Sequence, residues 1–166
     1  MPREPQQILD TIADLVLSQG DFPSLAEIAR ACGLSKPGVL HHFPSRSAMA
    51  EALVAREVGR VDELLEKAAA EGHAVDTWLE LSSPNGRERA LYIAMSSTLA
   101  EGTAGLSDLL AEATTRWDAV LERELADPDL ALLVRLVGDG LLANALAGTP
   151  VPPIRLKSAL ARAMKP

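Results

Sequence analysis

The chain has 166 residues, 48% apolar and 23% charged, with 16 Lys and Arg against 23 Asp and Glu. That is enough chain for one or two small domains with a real hydrophobic core, and too much apolar side chain for a disordered tail. Aromatic residues make up 3% and β-branched residues are sparse beside Ala, Leu and Glu, which argues against a β-rich fold, and one cysteine rules out a disulfide framework and a cysteine-rich zinc module. Asp10, Asp14 and Asp21 interrupt the apolar runs of the first thirty residues, leaving no leader pattern. Arg135 and Asp139 sit near the centre of the most apolar segment, 130–147, and are too costly for a lone membrane span. The expectation is a soluble, cytoplasmic, mostly helical protein.

Helical periodicity runs nearly the whole length. Ile8, Ile12, Leu15 and Val16 form a first stripe, stopped by Gly20-Asp21-Phe22-Pro23. Ser24-Leu25-Ala26-Glu27 has the form of a capping box, so a second helix is predicted from Leu25 to about Cys32, before Gly33. Ser35 offers the next N-cap, with Pro37 tolerated in the first turn, and this third helix ends near Phe43 ahead of Pro44. Ser45 or Ser47 opens a long fourth helix with the stripe Val54, Val58, Val61, Leu65 and Ala68, broken at Glu71-Gly72-His73. A short helix around 76–81 follows, then one from about Arg87 to Ala100 and another marked by Leu106, Leu110, Ala113, Trp117, Val120 and Glu124. Asp127-Pro128 stops that one, 130–147 is apolar on nearly every side, and a proline-rich turn leads into a last helix with Leu156, Ala159, Leu160 and Ala163. Nine helices with short connections make an all-α bundle.

The net charge of −7 argues against nucleic acid only as an average. Residues 24–60 hold five Lys and Arg against three acids, a local +2, while the stretches before and after carry −3 and −6. Local charge decides where a phosphate backbone can sit. Within the basic stretch, two short helices joined by a tight turn containing Gly33 have the build of a helix-turn-helix. Ile28, Cys32, Leu34 and Val39 fall where the helices must pack, and small Ala29 lets them approach. Spacing alone leaves an ordinary helical hairpin equally open.

The run from Ile28 to Arg46, with its Ser35-Lys36, His41-His42-Phe43 and Pro44-Ser45-Arg46, resembles the DNA-binding domain of TetR-family (tetracycline-repressor-like) regulators. The resemblance is dense over about 5–60 and extends to the rest only in layout. It implies a TetR-like architecture: a three-helix DNA-binding domain over 1–46 and a ligand-binding and dimerisation bundle over 47–166. It implies that Ser24 caps the second helix near phosphate and that Ser35 and Lys36 open the recognition helix beside the backbone. Pro37, Gly38 and Leu40 then face the major groove, and His41 and Arg46 clamp phosphate. Two features depart from the family pattern. Leu40 stands where a tyrosine is frequent, replacing a hydroxyl contact with an apolar one, and Pro37-Gly38 leaves little side chain to read bases, which favours readout of DNA shape.

A helix apolar all round is buried on both sides, for 130–147 against its own bundle and against a second subunit. The resemblance likewise implies a homodimer formed by the last two helices, reading a palindromic operator in double-stranded DNA. It also implies a pocket for a small-molecule inducer, with Trp78, Leu91, Tyr92, Met95, Leu99, Trp117 and Leu121 as candidate liners. Glu101, Asp108, Glu112, Asn144 and above all Asp139 are candidate polar anchors. Asp139 lies between Gly138 and Gly140, where a carboxylate needs a partner or a cationic ligand and the glycines point to close backbone approach or a bend. Adjacent His41 and His42 point about 100° apart on a helix and do not share a metal ion. Three histidines and one cysteine assemble no catalytic set or phosphate loop, so neither an enzyme nor a cofactor is expected. The rival reading is a helical ligand- or partner-binding module that no longer reads DNA.

Overall fold

In a computed structural model of the protein the described residues are 5–85, 88, 89, 92 and 104–163, and all their regular structure is helical. Eight helices are described: α1 Pro5–Gln19, α2 Leu25–Cys32, α3 Lys36–His42, α4 Arg46–Ala70, α5 Ala74–Leu81, α6 Ala104–Leu125, α7 Pro128–Leu146 and α8 Pro153–Ala163. The ninth expected helix, 87–100, lies largely outside the described residues, as do Leu91, Met95, Leu99 and Glu101; Glu88, Arg89 and Tyr92 are helical. Among the described residues no helix is long and apolar enough to cross a membrane.

The described residues divide into two compact units. In the first, α1 contributes Ile8, Leu9, Ile12, Ala13 and Val16 to a core shared with Ile28, Ala29 and Cys32 of α2, Val39 of α3, and Met49, Ala50 and Leu53 at the start of α4. In the second, Val61 and Leu65 of α4 pack with Trp78 and Leu79 of α5, Val120 and Leu121 of α6, and Ala131, Val134 and Leu141 of α7. Residues 46–57 of α4 belong to the first unit and 58–70 to the second.

Local chemistry fixes the boundaries. The Ser24 hydroxyl accepts from the Glu27 N–H at 3.3 Å, while the Glu27 carboxylate accepts from the Ser24 N–H at 2.9 Å and from its hydroxyl at 2.6 Å. Those bonds from the Ser24 hydroxyl and N–H hold the Glu27 carboxyl below its ordinary value. The box is therefore fully formed at neutral pH, and its stabilisation of α2 is lost as the pH falls through that lowered value. Gly33 follows at φ +65°, a left-handed stop that closes α2 onto the Ala29 and Arg30 carbonyls. Asp127 caps α7 by accepting from the Asp129 and Leu130 N–H groups, both at 3.0 Å.

The start of α5 is solved at long range. His73, at its N-cap, makes no side-chain cap bond; the Glu124 carboxylate reaches over from α6 and accepts from the Ala74 and Val75 N–H groups at 2.6 and 3.2 Å. A carboxylate at a helix N-terminus satisfies orphan donors and faces the positive dipole end. Glu124→Ala should cost about 1–2 kcal/mol of stability, measured by urea unfolding. A loss within error of zero would show that water replaces the cap.

Lys157 ties α8 back to α5 through Glu80 at 2.6 Å and Asp76 at 3.3 Å. Burial works against its charge, but the two carboxylates outweigh it and raise its pKa.

Candidate functional site

The first unit presents α3 on a frame set by α1, α2 and the start of α4. The Ser35 hydroxyl accepts from the Gly38 N–H at 3.1 Å and Pro37 sits in the first turn, so α3 starts where spacing predicts. Val39 is fully buried and anchors the helix, while Lys36, Pro37, Leu40 and His41 are exposed. On a helix these four fall within roughly 140° of arc, so one outward face carries a cation, a flat ring, an apolar side chain and an imidazole. Leu40 is 38% exposed. Gly38 is half-buried, and a Cβ there would meet Ser35 Oγ at 3.3 Å.

Arg46 has a second occupation. Its Nη2 donates to the Phe22 carbonyl at 2.8 Å and its guanidinium lies 5.1 Å over the Phe22 ring. It therefore braces the loop before α2 against the start of α4, while the residue itself stays exposed. The Ser24 and Ser35 hydroxyl oxygens each accept one cap bond. His41 and His42 meet edge to face with centroids 5.5 Å apart. Among the described residues no cluster of three His, Cys, Asp or Glu is gathered around a point.

In the second unit the expected pocket residues are only partly brought together. Trp78, Trp117 and Leu121 share one core, with the two indoles 5.5 Å apart. Trp78 is nearly fully buried and its Nε1 donates to the Val134 carbonyl at 3.2 Å. Trp117 is half-buried, and its Nε1 donates to Asp62 at 2.7 Å; the other Asp62 oxygen accepts both Nε and Nη2 of Arg116, at 3.2 and 2.8 Å. Asp62 and Trp117, with Glu66, Arg116 and Val120, line a cavity of about 90 Å³. Tyr92 packs against the core of the first unit.

Asp139 is on the exposed side of α7, bonded at 2.6 Å to Arg135 one turn earlier, whose Nε also faces Asp118 at 2.7 Å. The flanking glycines divide their roles. A Cβ on Gly138 would lie 2.1 Å from Trp78 Nε1 and 2.6 Å from Ser82 Oγ, so the indole occupies the side-chain space. Gly140 faces open space within the chain.

Sequence reasoning missed Asp62, Glu124 and the Phe22 carbonyl as partners. Each acts across 24 to 55 residues of chain, a separation at which spacing carries no signal.

The family model for bacterial regulatory proteins of the tetR family matches residues 8–53, and that for a tetracyclin repressor-like C-terminal domain matches residues 72–165. No curated protein matches the chain. Chains of solved structures that match number 13. One is the crystal structure of a protein from Saccharomonospora viridis, assigned as a transcriptional regulator, in complex with choline; it is 20% identical, covers 95% of this chain and 93% of its own, and superposes with a TM-score of 0.71. That likeness carries the fold. Since one family model takes in the whole helix-turn-helix and the other more than half of the chain, this is a member of the TetR family of bacterial regulatory proteins, which are DNA-binding transcriptional regulators rather than enzymes.

Proposed function

We propose that the protein is a cytoplasmic repressor that binds a palindromic operator as a homodimer and leaves it when a small molecule occupies the second unit. The observation that carries the DNA reading is the exposed face of α3, where Lys36 and His41 flank Leu40 at the mouth of a helix-turn-helix. Ser24, Ser35, Lys36, His41 and Arg46 belong to the phosphate-contacting rim in this reading, and Pro37, Gly38 and Leu40 approach the base edges.

The homodimer is supported by α7. Its buried stripe is Ala131, Val134, Gly138, Leu141 and Ala145, yet Leu132, Leu133 and Leu136 lie exposed on its other side. A second copy covers such a face symmetrically, and two-fold symmetry sets the recognition helices about one DNA turn apart. For release, α4 is the shared element, since it supplies core residues to both units. An effector that favours one arrangement of α4 weakens DNA binding by the same factor by which DNA weakens effector binding. We place the effector around Trp117 and Leu121, with Trp78 and Asp139 of the same unit kept as further candidates. The choline held by the Saccharomonospora viridis protein makes a small cation a reasonable first probe; here Asp62 and Glu66 are already paired with Arg116 and Arg123, so a cation competes with guanidinium.

Salt titration of duplex binding tests the assignment without knowledge of the operator. Lys36→Ala should weaken binding to any duplex and reduce the slope of log K against log salt by about 1. Arg46→Ala should do the same and also lower stability, because it removes the brace on Phe22. Changes at Gly38 or Leu40 should leave the slope alone and alter preference between sequences by roughly 1–3 kcal/mol per affected base pair. Absence of a salt-dependent complex with any duplex would refute the DNA reading and leave the helical ligand-binding module.

A further inference from the structure

We propose that the proline-rich turn between α7 and α8 forms a binding site for a small neutral ring that carries a hydrogen-bond donor, a phenol in chemical class. A cavity of about 190 Å³ opens where the end of α5, the C-terminal half of α7 and residues 150–153 meet. Leu141 and Ala145 form one wall, and Pro84, Pro150, Pro152 and Pro153 form most of the rest. Ser83 and Val151 complete it, and none of these residues is charged. Trp117 and Asp62 are not among them, so the site stands apart from the effector reading above.

Three properties of the lining select the ligand. The first is size, since an apolar protein cavity of about 150 Å³ accepts a single benzene ring. The second is stiffness. Proline rings have fixed φ and few rotamers to collapse with, so the wall stays open at little entropic cost and the site is preformed. The third is polarity. A charged guest would find no counter-charge there and would lose its hydration uncompensated. Four of the eight lining residues are prolines, which contribute carbonyl acceptors and no N–H. The Ser83 hydroxyl spends its hydrogen on the Leu79 carbonyl at 3.0 Å, leaving its oxygen to accept. The wall therefore offers acceptors, and the guest supplies the donor.

The test uses the full chain with phenol, anisole and toluene as probes, and choline as the charged control, followed by thermal unfolding and saturation-transfer NMR. Phenol should bind saturably with a Kd on the order of 1 mM and raise Tm by a few degrees at saturation. Anisole and toluene, unable to donate, should bind about tenfold more weakly, and choline should not compete. Ala145→Leu fills the cavity and should abolish the response. Pro150→Asp places a carboxylate on the loop wall at an exposed residue outside the helix core, and should weaken phenol at least tenfold; it decides the matter alone if Ala145→Leu fails to fold. Absence of saturable phenol binding, equal affinity for phenol and anisole, or unchanged binding in folded variants would each overturn the proposal.

Discussion

Gly138→Ala should destabilise the protein by roughly 2–3 kcal/mol, while Gly140→Ala, two residues along the same helix, should stabilise the isolated chain by up to about 1 kcal/mol. Both glycines carry the same intrinsic helix penalty, so the difference isolates packing. At Gly138 the added methyl lands 2.1 Å from the Trp78 indole. That ring cannot swing aside cheaply, because it is buried in the second core and its N–H is held by the Val134 carbonyl. Relief requires α5 and α7 to separate or the Trp78 hydrogen bond to break, and either exposes apolar surface. At Gly140 no atom lies within 4 Å, so only the gain in helix propensity remains. Denaturant unfolding followed by tryptophan fluorescence checks both. A Gly138→Ala protein as stable as the parent would show that the crossing of α5 and α7 is loose.

The second large effect concerns the exposed side of α7. Leu133 is 58% and Leu136 is 50% exposed in the single chain, and Ile154 at the start of α8 is 66% exposed. Isolated exposed leucines are ordinary, but Leu133 and Leu136 with Leu132, at 45%, make three on one helix, a patch that wants a partner. Leu136→Glu leaves the chain's own core untouched, so its helix content should match the parent. In a homodimer formed through this face it buries two like charges. The expected results are a monomer in light scattering at micromolar concentration and a loss of operator affinity on the order of 100-fold, because two half-sites are no longer held by one molecule. A variant that remains dimeric would place the subunit contact elsewhere.

Much of this was legible in the sequence, and for a physical reason. Capping residues act within four positions, so Ser24, Glu27 and Ser35 announce where α2 and α3 begin, and Gly33 where α2 stops. Periodicity likewise marks α4 and α6, because burial repeats with the helical turn. What stayed hidden depends on packing between segments remote in sequence. Hydropathy alone makes Trp78 and Trp117 look alike, yet one is a core strut against Gly138 and the other shares Asp62 with Arg116. Asp139 read as a carboxylate in need of a partner, and Arg135 one turn away is that partner. The glycines around it signalled close approach, but only the position of the Trp78 ring shows which of the two is needed for it. Arg46 read as a phosphate clamp, and its bond to Phe22 could not be read from either residue's neighbours.

The most direct test of the central claim is selection of fragmented genomic DNA from the source organism on the purified protein near physiological salt, followed by sequencing of what is retained. A homodimeric TetR-family repressor predicts an enriched palindrome with half-sites about one helical turn apart, bound by the parent, held more weakly by Lys36→Ala and lost with Leu136→Glu. Retention of DNA without any enriched sequence, or of a single unrepeated half-site, would contradict it.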